Sequence, residues 1–563
     1  MSTPPPLPVH RRTVLASGAA GAAGVALTAG GPAVAVAATA ARAHPFRHGV
    51  ASGDPLPHAV VIWTRVTPTP ASTPGSGKGP QVEVRWEVAR DARFRRIVRS
   101  GRFATSAARD HTVKVDVTGL APATDYHYRF HLGDATSRVG RTRTAPAADA
   151  SPERLRFGVV SCANWQAGWF AAYRGLAARD DLDAVVHLGD YIYEYGPGQY
   201  GYGPDDEDIR THVPAHEILS LTDYRQRHAQ YKRDPDLQDL HARYPWIVTW
   251  DDHEVANDAY KDGAENHNTD LGEGDFHRRR ARAHRAYDEW MPARLDGTAR
   301  LGDGDRLYRR LRFGQLAEIS MLDLRTYRDA QLTVPDGDVS DPDRTITGRA
   351  QMDWLKASLA NKRAQWKVVG NPVMIAPVDF AALPHDLVDP INDVTGLLPR
   401  DGVAYNVDQW DGYTDDRREI FQHIRDHQVT DALFITGDIH SGWAAELPYD
   451  AATLSDPLAI GDTAGVEFVC ASVTSSNLKD ITGTPPRTTS VAVEELIKAN
   501  NRHIRYLDFD SHGFSVLDLT AERAQMDWYV IGDRADRDTP ITWSVSYATA
   551  TGTGRIEQVE EPV

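Results

Sequence analysis

Ala184-Val185-Val186-His187-Leu188-Gly189-Asp190-Tyr191-Ile192-Tyr193 is the stretch on which the fold turns. A short, mostly apolar run breaks at a glycine and an acidic residue, which is how a strand buried on both faces ends. The arrangement returns at 157–160, followed by Ser161-Cys162-Ala163-Asn164, and at 247–250, followed by Asp251-Asp252-His253-Glu254. It returns again at 368–369 and at 433–436, the latter followed by Gly437-Asp438-Ile439-His440. Between these runs lie helical stretches at 169–178, 222–232, 276–290 and 350–360, the last with Leu355 and Leu359 four apart on one face. Strands alternating with helices predict an α/β fold, and the loops past the carboxyl ends of such strands converge on one crevice.

That crevice would collect Cys162, Asp190, Tyr193, Asp252, Asp438 and His440. Singly these are weak signals: a Gly-Asp pair is more often a turn than a ligand, and a buried cysteine is usually a small hydrophobe. Their joint placement at successive strand ends points to a metal site. Thiolate, phenolate and imidazole suit a transition metal, whereas the carboxylate-rich half suits a hard cation, calcium or magnesium. His187, flanked by apolar residues, reads as a packed core histidine. His253 stands beside a ligand candidate and has two readings, a proton donor to a leaving alkoxide or support for Asp252. Asn164 and Arg325 are candidates to bind phosphate. Residues 195–204, rich in Gly, Pro and Tyr, form either a wall over the site or a solvent loop, and the Arg-rich segment 277–285 reads as a solvated helix face.

Upstream the periodicity changes to two, with Val60, Ile62; Val82, Val84, Trp86, Val88; Val113, Val115, Val117; and Tyr126, Tyr128, Phe130, which predicts a β-sandwich. Residues Val117-Thr118-Gly119-Leu120-Ala121-Pro122-Ala123-Thr124-Asp125-Tyr126 resemble the corner of a fibronectin-type-III module, where a tyrosine ties a loop to the sandwich. Small and polar residues at 144–152 mark a boundary. The expected layout is a leader at 1–43, a sandwich at 44–148, a catalytic domain at 153–546 and a tail at 547–563, left open between disorder and a strap over the site. In the leader, Arg11-Arg12-Thr13-Val14-Leu15 opens an Ala/Gly-rich apolar run with small-residue sites at Ala33-Val34-Ala35 and Ala38-Thr39-Ala40, which reads as a twin-arginine export signal. A secreted protein carried folded by the twin-arginine machinery is expected; an ordinary secretory signal or an anchor is the alternative.

The formal charge of −16 disfavours a nucleic-acid-binding face, and a small phosphate ester would need local positive charge that bound cations supply compactly. With two cysteines, Cys162 and Cys470, the chain is no disulfide framework, although a single bridge between them competes with Cys162 as a ligand.

These motifs resemble the metallophosphoesterase and purple acid phosphatase pattern. Asp190 and Tyr193 spell G-D-x-x-Y, Asp252-His253-Glu254 stands in place of N-H-E/D, and Gly437-Asp438-Ile439-His440 in place of G-H-x-H. The variant spelling is similar to the PhoD-like (alkaline phosphatase D) branch. The resemblance extends to His48-Gly49-Val50-Ala51-Ser52-Gly53-Asp54-Pro55 and to Leu322-Asp323-Leu324-Arg325-Thr326-Tyr327-Arg328, so it spans nearly the whole chain after the leader. It implies a four-layer αββα metallophosphoesterase domain behind the sandwich. It also implies an Fe(3+) held by Cys162, Asp190, Tyr193 and His440, with Asp190 bridging to a Ca(2+) site completed by Asp252 and Asp438. Val369-Gly370-Asn371-Pro372-Val373 stands where many relatives carry a further metal-binding histidine, which favours calcium in the second site. The implied substrates are phosphate monoesters and diesters. Phosphodiesterase or calcium-dependent phospholipase D action at a phospholipid surface is the near alternative, and a non-catalytic binding protein the distant one, disfavoured because all six proposed ligands are retained.

Overall fold

The computed structural model describes residues 44–295, 306–332, 338–380, 403–449 and 462–563. The leader expected at 1–43 lies outside them. The strands expected at the crevice form in two sheets. Arg154–Val160, Ala184–Leu188 and Pro245–Thr249 lie side by side and parallel in a ten-stranded sheet, and Trp366–Asn371 and Ala432–Thr436 pair in parallel in a seven-stranded one. Their inward faces meet in one apolar core, where Phe157, Val159, Val186 and Ile247 of the first sheet pack with Ile319, Val368, Leu433 and Phe468 of the second. Helices cover both outer faces. Ala171–Ala178, Leu221–Tyr231 and Pro235–Arg243 cover Val185 and Trp246 of the first sheet, and Arg349–Leu359 and Thr414–Asp426 cover Val369 and Phe434 of the second. Strands buried on both faces must be apolar along their whole length, which is why they were visible as short continuous runs.

The N-terminal sandwich is joined to this body more closely than the polar stretch at 144–152 suggests. Its outer sheet is built on Ile97–Thr105, Val82–Ala89 and Asp125–Leu132. Its other wall, Val50–Leu56, Ala59–Arg65 and Thr112–Thr118, is the far edge of the ten-stranded sheet, with Ser52 and Gly53 pairing in parallel with Pro245 and Trp246. At that seam a Cβ on Gly53 would sit 2.2 Å from the carbonyl oxygen of Pro292, so only glycine admits the approach. Trp63 adds a side-chain bond, donating 2.9 Å to the carbonyl of Glu289. Residues 44–563 accordingly form one compact unit. The expected tyrosine corner is present: the Tyr126 hydroxyl accepts the Ala121 N–H at 2.8 Å.

The tail is neither a strap nor disordered. Residue 546 falls inside the strand Ile541–Ala550, and Glu557–Val559 pairs with it as the sheet edge. The terminal Val563 N–H is held by Asp527 at 2.8 Å. The Arg-rich helix also departs from expectation. Arg279 is fully buried, bound to Glu217 and the Tyr224 hydroxyl, and Arg280 donates to the carbonyls of Lys261 and Thr326, so two of the arginines cross-link loops beneath the helix rather than facing solvent.

Because strand pairing crosses the seam, a chain beginning at residue 153 would expose one edge of Pro245–Thr249 together with the apolar face beneath. We expect such a fragment to be insoluble and the full chain to unfold in a single calorimetric transition. A soluble, cooperatively melting 153–563 fragment would show the seam to be dispensable.

Candidate metal centre

The backbone at the strand ends turns sharply to aim side chains into one crevice. Cys162, Asp190, Asp438 and His440 all have positive φ, at 59°, 56°, 63° and 53°, a region L-residues seldom occupy and one that concentrates at functional sites. Gly189 lets the Asp190 turn close: a Cβ there would lie 2.5 Å from Asp251 Cβ.

Donor atoms gather in three overlapping groups, each with ligand atoms within 4.8 Å of one another: Cys162, Asp190 and His440; Asp190, Asp252 and His253; and Asp251, Asp252 and Asp438. Asp190 belongs to two of them. Tyr193 donates from its hydroxyl to Asp190 Oδ2 at 3.0 Å and lies 3.4 Å from His440 Nε2, so all six expected ligands come together. The ring of His440 is oriented by the Ser476 carbonyl, 2.8 Å from Nδ1. A carbonyl only accepts, so Nδ1 carries the proton and Nε2 presents its lone pair beside Tyr193. His253 is held in the same way by Glu194, 2.8 Å from Nδ1.

The electrostatics fit bound cations. Burial raises the Cys162 thiol well above its usual range, and the neighbouring Asp190 raises it further. Burial also raises Asp190, with Asp252, Asp251 and Glu254 adding to it and His253 opposing. Burial and Asp251 do the same for Asp438. Burial would raise Asp252 as well, but Arg325 and His253 hold it below the ordinary carboxylate range. Asp190 Oδ1 is buried without a hydrogen-bond partner, which a native structure seldom tolerates unless an ion or water completes it. Soft and nitrogen donors lie on one side of Asp190 and oxygen donors on the other, a set that fits two unlike cations.

Two residues expected at the phosphate are engaged elsewhere. The Arg325 guanidinium grips Asp251 through Nε and Nη2 at 2.5 and 3.0 Å, Asp408 through Nη1 at 3.0 Å and Asp438 through Nη2 at 3.3 Å. Asn164 donates to the Tyr200 carbonyl at 2.6 Å and accepts from the Gln166 N–H at 3.0 Å. Residues 195–204 are a wall: the Tyr200 ring stacks on Tyr193 and His253 at 5.8 and 5.9 Å, and its hydroxyl reaches within 3.2 Å of His440 Nδ1.

Sequence reasoning passed over Asp251, Glu194 and Asp408. The first was legible, being adjacent to Asp252 at a strand end; the other two lie on loops whose path a sequence does not show. His187 is a core residue, stacked on Trp246 and 3.2 Å from the Tyr173 hydroxyl. Asn371 is bound to Thr436 and Trp410 within the core. Both cysteines are free, so no bridge competes for Cys162. Ser161 stands between them, 3.1 Å from Cys162 Sγ and 3.4 Å from Cys470 Sγ.

A crevice of buried carboxylates, imidazoles, thiol and phenol at the strand ends of an αββα body defines a hydrolase of phosphoric esters. Comparison with known proteins agrees. The model of the PhoD-like phosphatase family matches residues 157–528, and that of the PhoD-like phosphatase N-terminal domain matches residues 32–146. Alkaline phosphatase D of Bacillus subtilis (strain 168) is 37% identical over 494 residues, 87% of this chain and 78% of that protein. The solved structure of PhoD superposes with a TM-score of 0.81 at 34% identity, covering 92% of this chain and 93% of its own. The chain belongs to the PhoD-like phosphatase family.

Proposed function

We propose that the protein is an exported hydrolase of phosphate monoesters and diesters that uses an iron and a calcium ion. The observation that carries the reading is Asp190, its Oδ1 unpartnered between a thiol–imidazole group and a carboxylate group. Cys162, Asp190, Tyr193 and His440 would hold Fe(3+), and Asp190, Asp252 and Asp438 would hold Ca(2+). When bound, the pair supplies positive charge that grips phosphate oxygens and acidifies water.

The rest is done by the chain's own groups. Glu194 fixes the His253 ring, and the imidazole beside Asp190 and Asp252 is placed to give a proton to the leaving alkoxide. Ser475 donates to the Tyr193 hydroxyl at 2.5 Å and fixes the phenol. Arg325 and Asn164 act as positioning residues: Arg325 holds Asp251 and Asp438 at their spacing, and Asn164 anchors the loop of Tyr200. The twin-arginine motif supports export of the folded protein.

The test is hydrolysis of p-nitrophenyl phosphate, bis(p-nitrophenyl) phosphate and phosphatidylcholine side by side, with calcium and then with a chelator. Turnover of the monoester and the diester, lost on chelation and restored by calcium, is expected. A preference for phosphatidylcholine would move the reading to a phospholipase on the same site, and no turnover by iron-containing protein would overturn it.

The two cysteines separate the ligand from its neighbour. Cys162→Ser is expected to cost most of the bound iron and activity, and Cys470→Ser to leave iron content within about twofold of the parent, as elemental analysis reads it. Equal iron loss in both would remove Cys162 from the ligand set. The twofold margin reflects the modest effect of a volume-conserving change outside the donor set.

A further inference from the structure

A cavity of about 680 Å³ shares no lining residue with the metal centre. Arg47 and His48 come from the N-terminal segment, Trp165 and Trp169 from the segment after the first crevice strand, and Arg210 and Arg233 from the chain flanking Leu221–Tyr231. Its volume is that of a site for a small organic molecule.

Arg210 is 7% exposed, with its guanidinium 3.8 Å from the Trp165 ring centre and 4.8 Å from that of Trp169. Nη1 donates to Asp234 at 2.6 Å and Nε to the Trp165 carbonyl at 3.3 Å, while Nη2 is buried without a partner. The Trp165 indole N–H and His48 Nδ1 are buried and unpartnered as well. Nη2 and the indole nitrogen can only donate, so the cavity walls hold donors that lack acceptors. Asp234, the acidic residue of the lining, does not supply them, because Oδ2 is taken by Arg210 and Oδ1 by the Leu237 N–H at 3.0 Å. Arg47 and Arg233 add positive charge on the exposed side, and the indole rings offer flat apolar walls.

We propose that this cavity binds a small anion carried on an aromatic ring, such as an aromatic carboxylate. Its acidic group meets Arg210 Nη2 and the cationic rim, and its ring lies against the tryptophans.

Calorimetric titration of the full chain with 2-naphthoate tests this, since the probe carries no phosphate ester to hydrolyse. One-site binding is expected, weakened about tenfold or more when 2-naphthol or sulfate replaces it, because neither supplies both the ring and the charge. Gln226→Trp, which fills the cavity from a half-buried position on the Leu221–Tyr231 helix, is expected to abolish binding while p-nitrophenyl phosphate hydrolysis stays unchanged. Arg233→Ala, an exposed change, should weaken binding about threefold or more. The proposal is overturned if 2-naphthoate gives no saturable heat, if both variants bind it as the parent does, or if 2-naphthol binds equally well, which would mark the cavity as merely apolar.

Discussion

Replacing Asp190 with asparagine is expected to lower phosphomonoester turnover about 10³-fold, roughly 4 kcal/mol of barrier, while leaving the fold intact. Asn has nearly the same shape, so Tyr193 keeps an acceptor, but the formal charge is lost and an amide nitrogen takes the place of one carboxylate oxygen. Both donor groups that share Asp190 are weakened together, whereas loss of a ligand from one group would leave the other whole. Stability should move the opposite way in chelator. Asp190 is buried beside Asp251, Asp252 and Glu254, so removing its charge relieves repulsion and desolvation, and the melting temperature should hold or rise. Calcium, which stabilises whatever state binds it, should raise the melting temperature of the parent and not of the variant. A variant that keeps a fifth of the parent turnover and its metal content would remove Asp190 from the bridging position.

That the catalytic body was legible follows from where its strands lie. Ala184–Leu188 and Ala432–Thr436 are buried along their whole length, and a strand covered on both faces must be continuously apolar. The helix Phe276–Trp290 was legible end to end because an aspartate cap, Asp275, precedes its first apolar residue. Ile97–Thr105 escaped detection because it is an edge strand, mostly exposed, and arginines occupy positions that alternation would make apolar. The final strands escaped for a related reason: Ile541–Ala550 is half exposed, so its Thr and Ser residues read as tail. The ligands were legible because each ends a strand. The groups that orient them, Ser476, Glu194 and Ser475, act through tertiary contacts with sequence separations of 36, 59 and 282 residues from His440, His253 and Tyr193, which spacing alone does not reveal. The polar stretch at 144–152 marked a real break in composition. It could not reveal that strands on either side of it pair, because β-pairing is non-local.

The calcium-loaded protein is expected to lose several kcal/mol of stability between pH 7 and pH 5, for a reason that lies outside the crevice. Burial holds His187 and His284 at about 3 and His503 at about 4, so all three are neutral in the fold, whereas in the unfolded chain they titrate near 6.5. A histidine whose folded value is depressed contributes nothing unfavourable above its unfolded value. As pH falls below about 6.5 the unfolded chain takes up a proton that the fold refuses, so stability is lost until the folded value is reached. Each such residue therefore costs about 2 kcal/mol between pH 7 and pH 5, and the three together about 6 kcal/mol. His284 isolates the effect. Its ring stacks on Trp250 at 4.1 Å with 13° between planes, and its Nδ1 has no partner, so phenylalanine can replace it with the stacking kept. Denaturant melts of His284→Phe should show an acid slope shallower by about 1.4 kcal/mol per pH unit than the parent's, with little difference at pH 8. Parallel slopes would mean that His284 titrates alike in both states and that the acid limit of the fold is set elsewhere.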